Sequence, residues 1–196
     1  MNRVVLALTL ALLLAGCDMW SGPPLYASAE GVFPFAPGTY RLSGGKDKPR
    51  IVRWDGHHFY LHGKRAKAKD EADLRALTIV PLPADGRRVF ILQNKIEKGA
   101  LYGFIEQRGE RYSVNLPSCT ATQDIVREAG GTVESSVWEN VTEAGRENPV
   151  PMTEVVAEAS RANCLFSTRA SLEKAAQRYV KERQLIETIR IERIGN

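Results

Sequence analysis

Every histidine of the chain falls in one short stretch, WDGHHFYLH, Trp54 to His62. Imidazoles at such spacing could hold a transition metal or supply a general base. The flanking pattern argues against both. Asp55-Gly56 stands between two apolar runs, and Asp-Gly in that setting is a strong signal for a two-residue hairpin turn, because the turn needs positive φ. Counting outward, Trp54 faces His57, Val52 faces Phe59 and Arg50 faces Leu61. The other face carries Arg53 with His58, Ile51 with Tyr60, and then His62. The histidines are therefore split between faces. His58 and His62 share one, but about 13 Å of strand separates them, too far for one zinc bound at about 2.1 Å. Arg53 opposite His58 would repel a cation. The stretch reads as a structural hairpin with His57 near Trp54, and neither metal nor other cofactor is expected.

A second candidate is Ser171-Leu-Glu-Lys174, an SxxK arrangement in which a serine at a helix start is activated by a lysine one turn later. It resembles the nucleophile motif of penicillin-binding proteins and serine β-lactamases. The chain departs from that pattern: it has no SDN and no KTG, and only twenty-two residues follow Lys174, too few for the part of that fold that closes the site. A periplasmic serine hydrolase using Ser171 and Lys174 is thus the alternative function. There is no GxSxG, HExxH, Walker loop or dinucleotide fingerprint, and a triad would have to take His57 or His58 as its base, with no elbow to present a serine.

The first residues, MNRVVLALTLALLLAGC, carry one basic group at Arg3, an apolar run from Val4 to Leu14, and small residues before Cys17. The apolar run is too short for a permanent span of a hydrocarbon core of about 30 Å and reads as a signal peptide, residues 1–16. Leu14-Ala15-Gly16-Cys17 resembles the lipobox of bacterial lipoproteins. The resemblance implies cleavage before Cys17, diacylation of its thiol and acylation of the new amino terminus, an anchor that holds the chain to its membrane facing the periplasm. In enteric lipoproteins the resembling Cys-Asp pair, here Cys17-Asp18, favours the inner membrane. Nucleic acid is excluded as a partner by compartment.

With Cys17 committed to lipid, Cys119 and Cys164 remain as a pair in an oxidising compartment, and a structural disulfide is expected, the alternative being two buried thiols. Charge is uneven: residues 1–123 are net +6, 124–158 net −6 and 159–196 net +4. The acidic middle is read as facing the basic parts of its own fold. GKRAKAKD, Gly63 to Asp70, is a basic loop; it either is simply solvated, the preferred reading, or touches anionic headgroups.

About 180 residues must position these groups, one domain with a real core. Residues 17–37, with four prolines and no sustained period, read as a lipidated terminus and tether of about 65 Å at full extension; its aromatics suggest that the second half lies on the domain. The domain, 38–196, divides into a β-rich part (38–116) and a mixed helical part (117–196). Arg50–Trp54 with His57–His62, Leu77–Ala84 with Arg87–Lys95, and Leu101–Gln107 with Arg111–Leu116 form hairpins. With a two-residue turn at Asp85-Gly86, Pro81 falls opposite Phe90 at a non-hydrogen-bonded position, so the first strand of that hairpin should be an edge. Thr120–Gln123 has capping-box spacing before a helix stopped by Gly130-Gly131. Thr132–Trp138 suggests a strand, Thr153–Ala162 a short helix, and Cys164–Phe166 an extended piece. Ser167–Arg183 is a helix with Leu172, Ala175, Ala176, Tyr179 and Val180 inward. The tail from Glu187 to Ile194 alternates as a strand would, or else continues the helix. The expected fold is α+β, an antiparallel meander of about six strands, curled or barrel-like, packed with C-terminal helices. The expected function is a non-catalytic binding or interaction role in the cell envelope, the partner protein or ligand being unknown.

Overall fold

The computed structural model describes residues 18–44, 48–61, 63–67, 77–84, 86–136, 161–182 and 188–196. The signal segment, Cys17, His62, Asp85 and most of the acidic middle lie outside them. Among the described residues twelve strands, twice the expected number, form one sheet: β1 (Trp20–Gly22), β2 (Gly38–Ser43), β3 (Arg50–Trp54), β4 (Phe59–Leu61), β5 (Lys64–Arg65), β6 (Leu77–Leu82), β7 (Arg88–Ile96), β8 (Gly99–Arg108), β9 (Arg111–Asn115), β10 (Thr132–Ser136), β11 (Arg161–Leu165) and β12 (Ile189–Gly195). Among the described residues two α-helices accompany them, α1 (Gln123–Glu128) and α2 (Arg169–Glu182). The class is α+β and all pairings are antiparallel except β1 with β11.

The sheet forks instead of closing into a barrel. β7 covers one edge of β8 along its whole length, from Ile96 opposite Gly99 to Arg88 opposite Gln107. The other edge is shared. β1 takes Ala100 to Tyr102 and leads on to β11 and β10, while β9 takes Phe104 to Arg108 and leads on through β12, β2, β3 and β4 to β5. Gly103 marks the divergence. A Cβ there would lie 2.9 Å from Leu116 Cδ2 and 3.0 Å from the Asn115 carbonyl oxygen, closer than side chains tolerate, so the two branches can separate there only around a glycine.

One face, shared by β6, β7, β8 and the first strands of the longer branch, buries Tyr40, Ile79, Phe90, Leu92, Ile105, Tyr112 and Val114. Where a barrel would need a closing strand pair, a coil lies instead. Val32 N donates to the Ile79 carbonyl on β6 at 2.7 Å, and Phe33 packs on Trp54 of β3 and Phe59 of β4, with ring centroids 4.8 and 5.8 Å away. Hydroxyls of Tyr40 and Tyr112 fix this coil by donating to the carbonyls of Ala36 and Pro34. The second half of the expected tether does lie on the domain. The first half is no tether at all: β1 sits between β8 and β11, Trp20 is fully buried, and Met19 and Tyr26 are buried too.

Around Trp20 the other face of the sheet meets the helices. Its ring contacts Phe104, Phe166 and Tyr179 at 5.5, 5.0 and 5.6 Å, and its indole N–H donates to Thr122 Oγ1 at 2.8 Å. All five residues expected on the inner stripe of α2 are buried, with Leu172, Ala175 and Ala176 at the centre. Gly130, at φ +86°, ends α1, with Gly131 N bonding the Val126 carbonyl and Gly130 N the Arg127 carbonyl, the paired geometry of a Schellman stop. The tail resolves as a strand, β12, inserted between β9 and β2. Arg161 and Ala162, expected to end a helix, belong to β11, because they pair with Ser136 and Ser135; the rest of that expected helix lies outside the described residues.

Candidate functional site

The histidine hairpin forms, with a different register from the expected one. Trp54 pairs with Phe59, Arg53 with Tyr60 and Val52 with Leu61, so the loop has four residues, Asp55 to His58. The cause is the Asp55 carboxylate, which accepts from the amides of His57 and His58 at 2.8 and 2.7 Å. Those two bonds hold its pKa down to about 2. Such local side-chain bonds compete with the tight turn. The slip is by an even number, so the strand residues keep their expected faces, while His57 and His58 leave the strand for the loop and Arg53 faces Tyr60 instead of His58. Gly56 has φ +96°, as its place in the turn demands. His58 Nδ1 lies 2.8 Å from Arg65 Nη2; a guanidinium can only donate, so that nitrogen is an acceptor with its lone pair in use. Among the described residues no group of three His, Cys, Asp or Glu side chains is placed to hold a metal ion.

The SxxK residues fall on one helix and face different partners. Ser171 Oγ donates to the Thr168 carbonyl and accepts from Thr168 Oγ1, each at 2.9 Å, while Thr168 Oγ1 accepts from Ser171 N. This is the hydroxyl network of a helix start, and Ser171 is buried. Lys174 Nζ donates at 3.0 Å to the carbonyl of Glu128, at the end of α1. The ammonium completes the C-terminus of a neighbouring helix. A serine already saturated by its own turn and a lysine spent on another helix do not form a nucleophile and base.

Cys119 and Cys164 are joined by a disulfide with Cα atoms 5.4 Å apart, and both are fully buried. The bond ties the turn before α1 to β11. Beside it sits an arrangement that spacing alone did not reveal. The capping box expected at Thr120 is absent; α1 is preceded by a 3-10 turn, Thr120–Thr122. Its first amides are satisfied from elsewhere: Thr120 N donates to Asp18 Oδ1 at 2.7 Å and Ala121 N to Ser118 Oγ at 3.3 Å. Thr120 Oγ1 and Ser118 Oγ also donate to the Asp18 carboxylate, at 2.8 and 2.6 Å. The Asp18 carbonyl accepts from Cys119 N at 2.9 Å, and Met19 bridges to Ser118. The only hint in the sequence was the N-cap chemistry of aspartate, displaced by a hundred residues.

No family model, curated protein or solved structure matches the chain. The remaining surface of chemical interest is aromatic. Phe33 is 47% exposed and Val32 43% exposed, and Phe33 forms a cluster with Phe35, Trp54 and Phe59, the last two rings tilted against each other at 4.4 Å. The basic loop continues from the neighbouring edge, where Lys64, Arg65 and Lys67 are exposed; Asp70 and the residues just before it lie outside the described residues.

Proposed function

We propose that this chain is a lipid-anchored envelope protein, facing the periplasm, whose domain has a non-catalytic binding role. The observation that carries the anchoring is the cysteine arithmetic read with the disulfide. Cys119 and Cys164 are consumed in the core, which suits an oxidising compartment, and the odd cysteine stands at the end of Leu-Ala-Gly-Cys, one residue before Asp18. Two or three acyl chains give stable membrane residence. The Cys17-Asp18 pair leans the address towards the inner membrane.

The binding role is supported by the aromatic cluster at Phe33, Trp54 and Phe59. A half-exposed patch of large rings costs solvation, and aromatic residues are enriched where proteins meet partners. Its occupant is an envelope protein or ligand with an apolar or stacking surface. The test has two arms. Cys17→Ser should leave an unprocessed chain that is no longer extracted with acylated proteins; unchanged mature mass and membrane fractionation refute the anchor. A photo-crosslinking residue at Phe33 should give a discrete adduct in intact cells that a crosslinker at exposed Arg127 does not; equal labelling at both positions refutes the patch.

A further inference from the structure

We infer that the lipid is joined to the fold without a spacer, so that the domain is held against the bilayer at the corner formed by Asp18, Ser118 and Thr120. The inference rests on the anchoring proposed above and deepens it, naming the bilayer as the partner of a particular surface. Asp18 is the residue after the lipobox cysteine, and it is not free to act as a linker. Its carboxylate receives three hydrogen bonds, from Thr120 N, Thr120 Oγ1 and Ser118 Oγ, and its carbonyl a fourth from Cys119 N. Two residues on, Trp20 is fully buried and in register with both β8 and β11. Cys119, the neighbour of both bonding residues, is itself covalently fixed to β11. One peptide unit spans about 3.8 Å between Cα atoms, so the acylated residue lies one such step from a fixed point of the core.

A carboxylate that ordinary reading takes as an address label is thus a structural cap: it satisfies the opening amide of the turn that leads into α1, at the place where the disulfide emerges. The exposed residues at that corner, Thr120 and Ala121, are carried to the headgroup layer by the anchor, whereas Lys64 on β5 stands six strands from β8 along the longer branch. A flexible linker would instead let the whole domain roam.

The test uses the lipidated full chain in vesicles of phosphatidylethanolamine and phosphatidylglycerol. A spin label at Ala121→Cys is compared with one at Lys64→Cys, before and after eight Gly and Ser residues, with a reach of about 15 Å, are inserted between Cys17 and Asp18. Without the insertion, the label at 121 should be several-fold less accessible to an aqueous relaxant than the label at 64; with it, the difference should vanish. Equal accessibility in the uninserted protein overturns spacer-free apposition. The mass of the N-terminal peptide distinguishes the two claims: a peptide without acyl mass overturns the anchoring reading itself, whereas an acylated peptide with an open label at 121 overturns only this inference. In the same preparation Asp18→Ala should speed hydrogen exchange at the Thr120 amide several-fold and Asp18→Asn, which keeps an acceptor oxygen, should do so less. Exchange unchanged in Asp18→Ala overturns the structural role of the carboxylate.

Discussion

Gln93 offers a sharp test of how the N-terminal segment is held. Its side-chain amide, buried on β7, replaces a neighbouring strand for residues 25 and 26: Oε1 accepts from Leu25 N at 2.8 Å and Tyr26 N at 3.0 Å, and Nε2 donates to the Tyr26 carbonyl at 2.9 Å. Gln93→Leu keeps the volume and removes all three partners. A buried polar group left unpaired costs about 1–3 kcal/mol. Leu25 is only partly buried, so its amide regains water and the two Tyr26 groups dominate, giving a loss of about 2–4 kcal/mol after the apolar gain of leucine. For a domain of this size each kcal/mol moves Tm by about 2–4 °C, so the midpoint should fall by about 5–15 °C. The damage should also be local: Tyr26 packs under the Arg169 guanidinium and donates to Glu173 on α2, so exchange should quicken at Leu25 and Tyr26 before it does in β7. The assay is thermal unfolding of the oxidised protein with residue-resolved hydrogen exchange. A midpoint within a degree of wild type, or unaltered protection at Tyr26, would refute the reasoning.

Other perturbations give equally definite outcomes. The Asp55 carboxylate has its pKa lowered from 3.8 to about 2 by the His57 and His58 amides; a depressed acid contributes above its unfolded pKa and loses that contribution as pH falls through the folded one, so the two amide shifts should titrate with a midpoint near 2, and a midpoint near 3.8 would show that the loop does not hold. Replacing both Cys119 and Cys164 by alanine should cost about 4 kcal/mol in the chain-entropy picture for the loop the bond closes, read as a lower denaturant midpoint relative to the oxidised protein. Gly103→Ala should destabilise by about 1–3 kcal/mol, because its methyl meets Leu116 and the Asn115 backbone, read as a lower denaturant midpoint than wild type. Gly56→Val should damage the hairpin by about 1–2 kcal/mol through its positive φ, while His57→Gln leaves the melting curve where it was.

What the sequence disclosed follows from the range of the forces involved. The hairpin of β6 and β7 has the register expected of Asp85-Gly86, Pro81 opposite Phe90 and Leu82 opposite Val89, and among the described residues β6 pairs with β7 alone; turn chemistry and the missing N–H of proline act within a few residues and are written locally. The stripe of α2 was legible for the same reason. The disulfide followed from counting. The neighbouring hairpin was misjudged by two residues because the same Asp-Gly signal was overridden by a side chain bonding its own loop, a competition that the dipeptide does not reveal. β1 was illegible: Trp-Ser-Gly, amid prolines and glycines, has no period, and it is a strand only because β8 and β11 flank it. The capping role of Asp18 was illegible for a related reason, since its partners lie a hundred residues away. The SxxK spacing was visible but its geometry was not, because spacing cannot say that Thr168 and Glu128 claim the two functional atoms.

The position of β1 also has a mechanical consequence. Tension applied at residue 17 is directed along a strand that is hydrogen-bonded on both sides, antiparallel to β8 and parallel to β11, with an indole locked beneath it and a covalent crosslink one strand away. Such a load is taken in shear, so the bonds on both edges must fail together, whereas a peripheral hairpin such as β4–β5, held by two residue pairs, would peel open one pair at a time. Force arriving through the N-terminus therefore meets β1 in shear on both edges, against five residue pairs rather than the two of β4–β5.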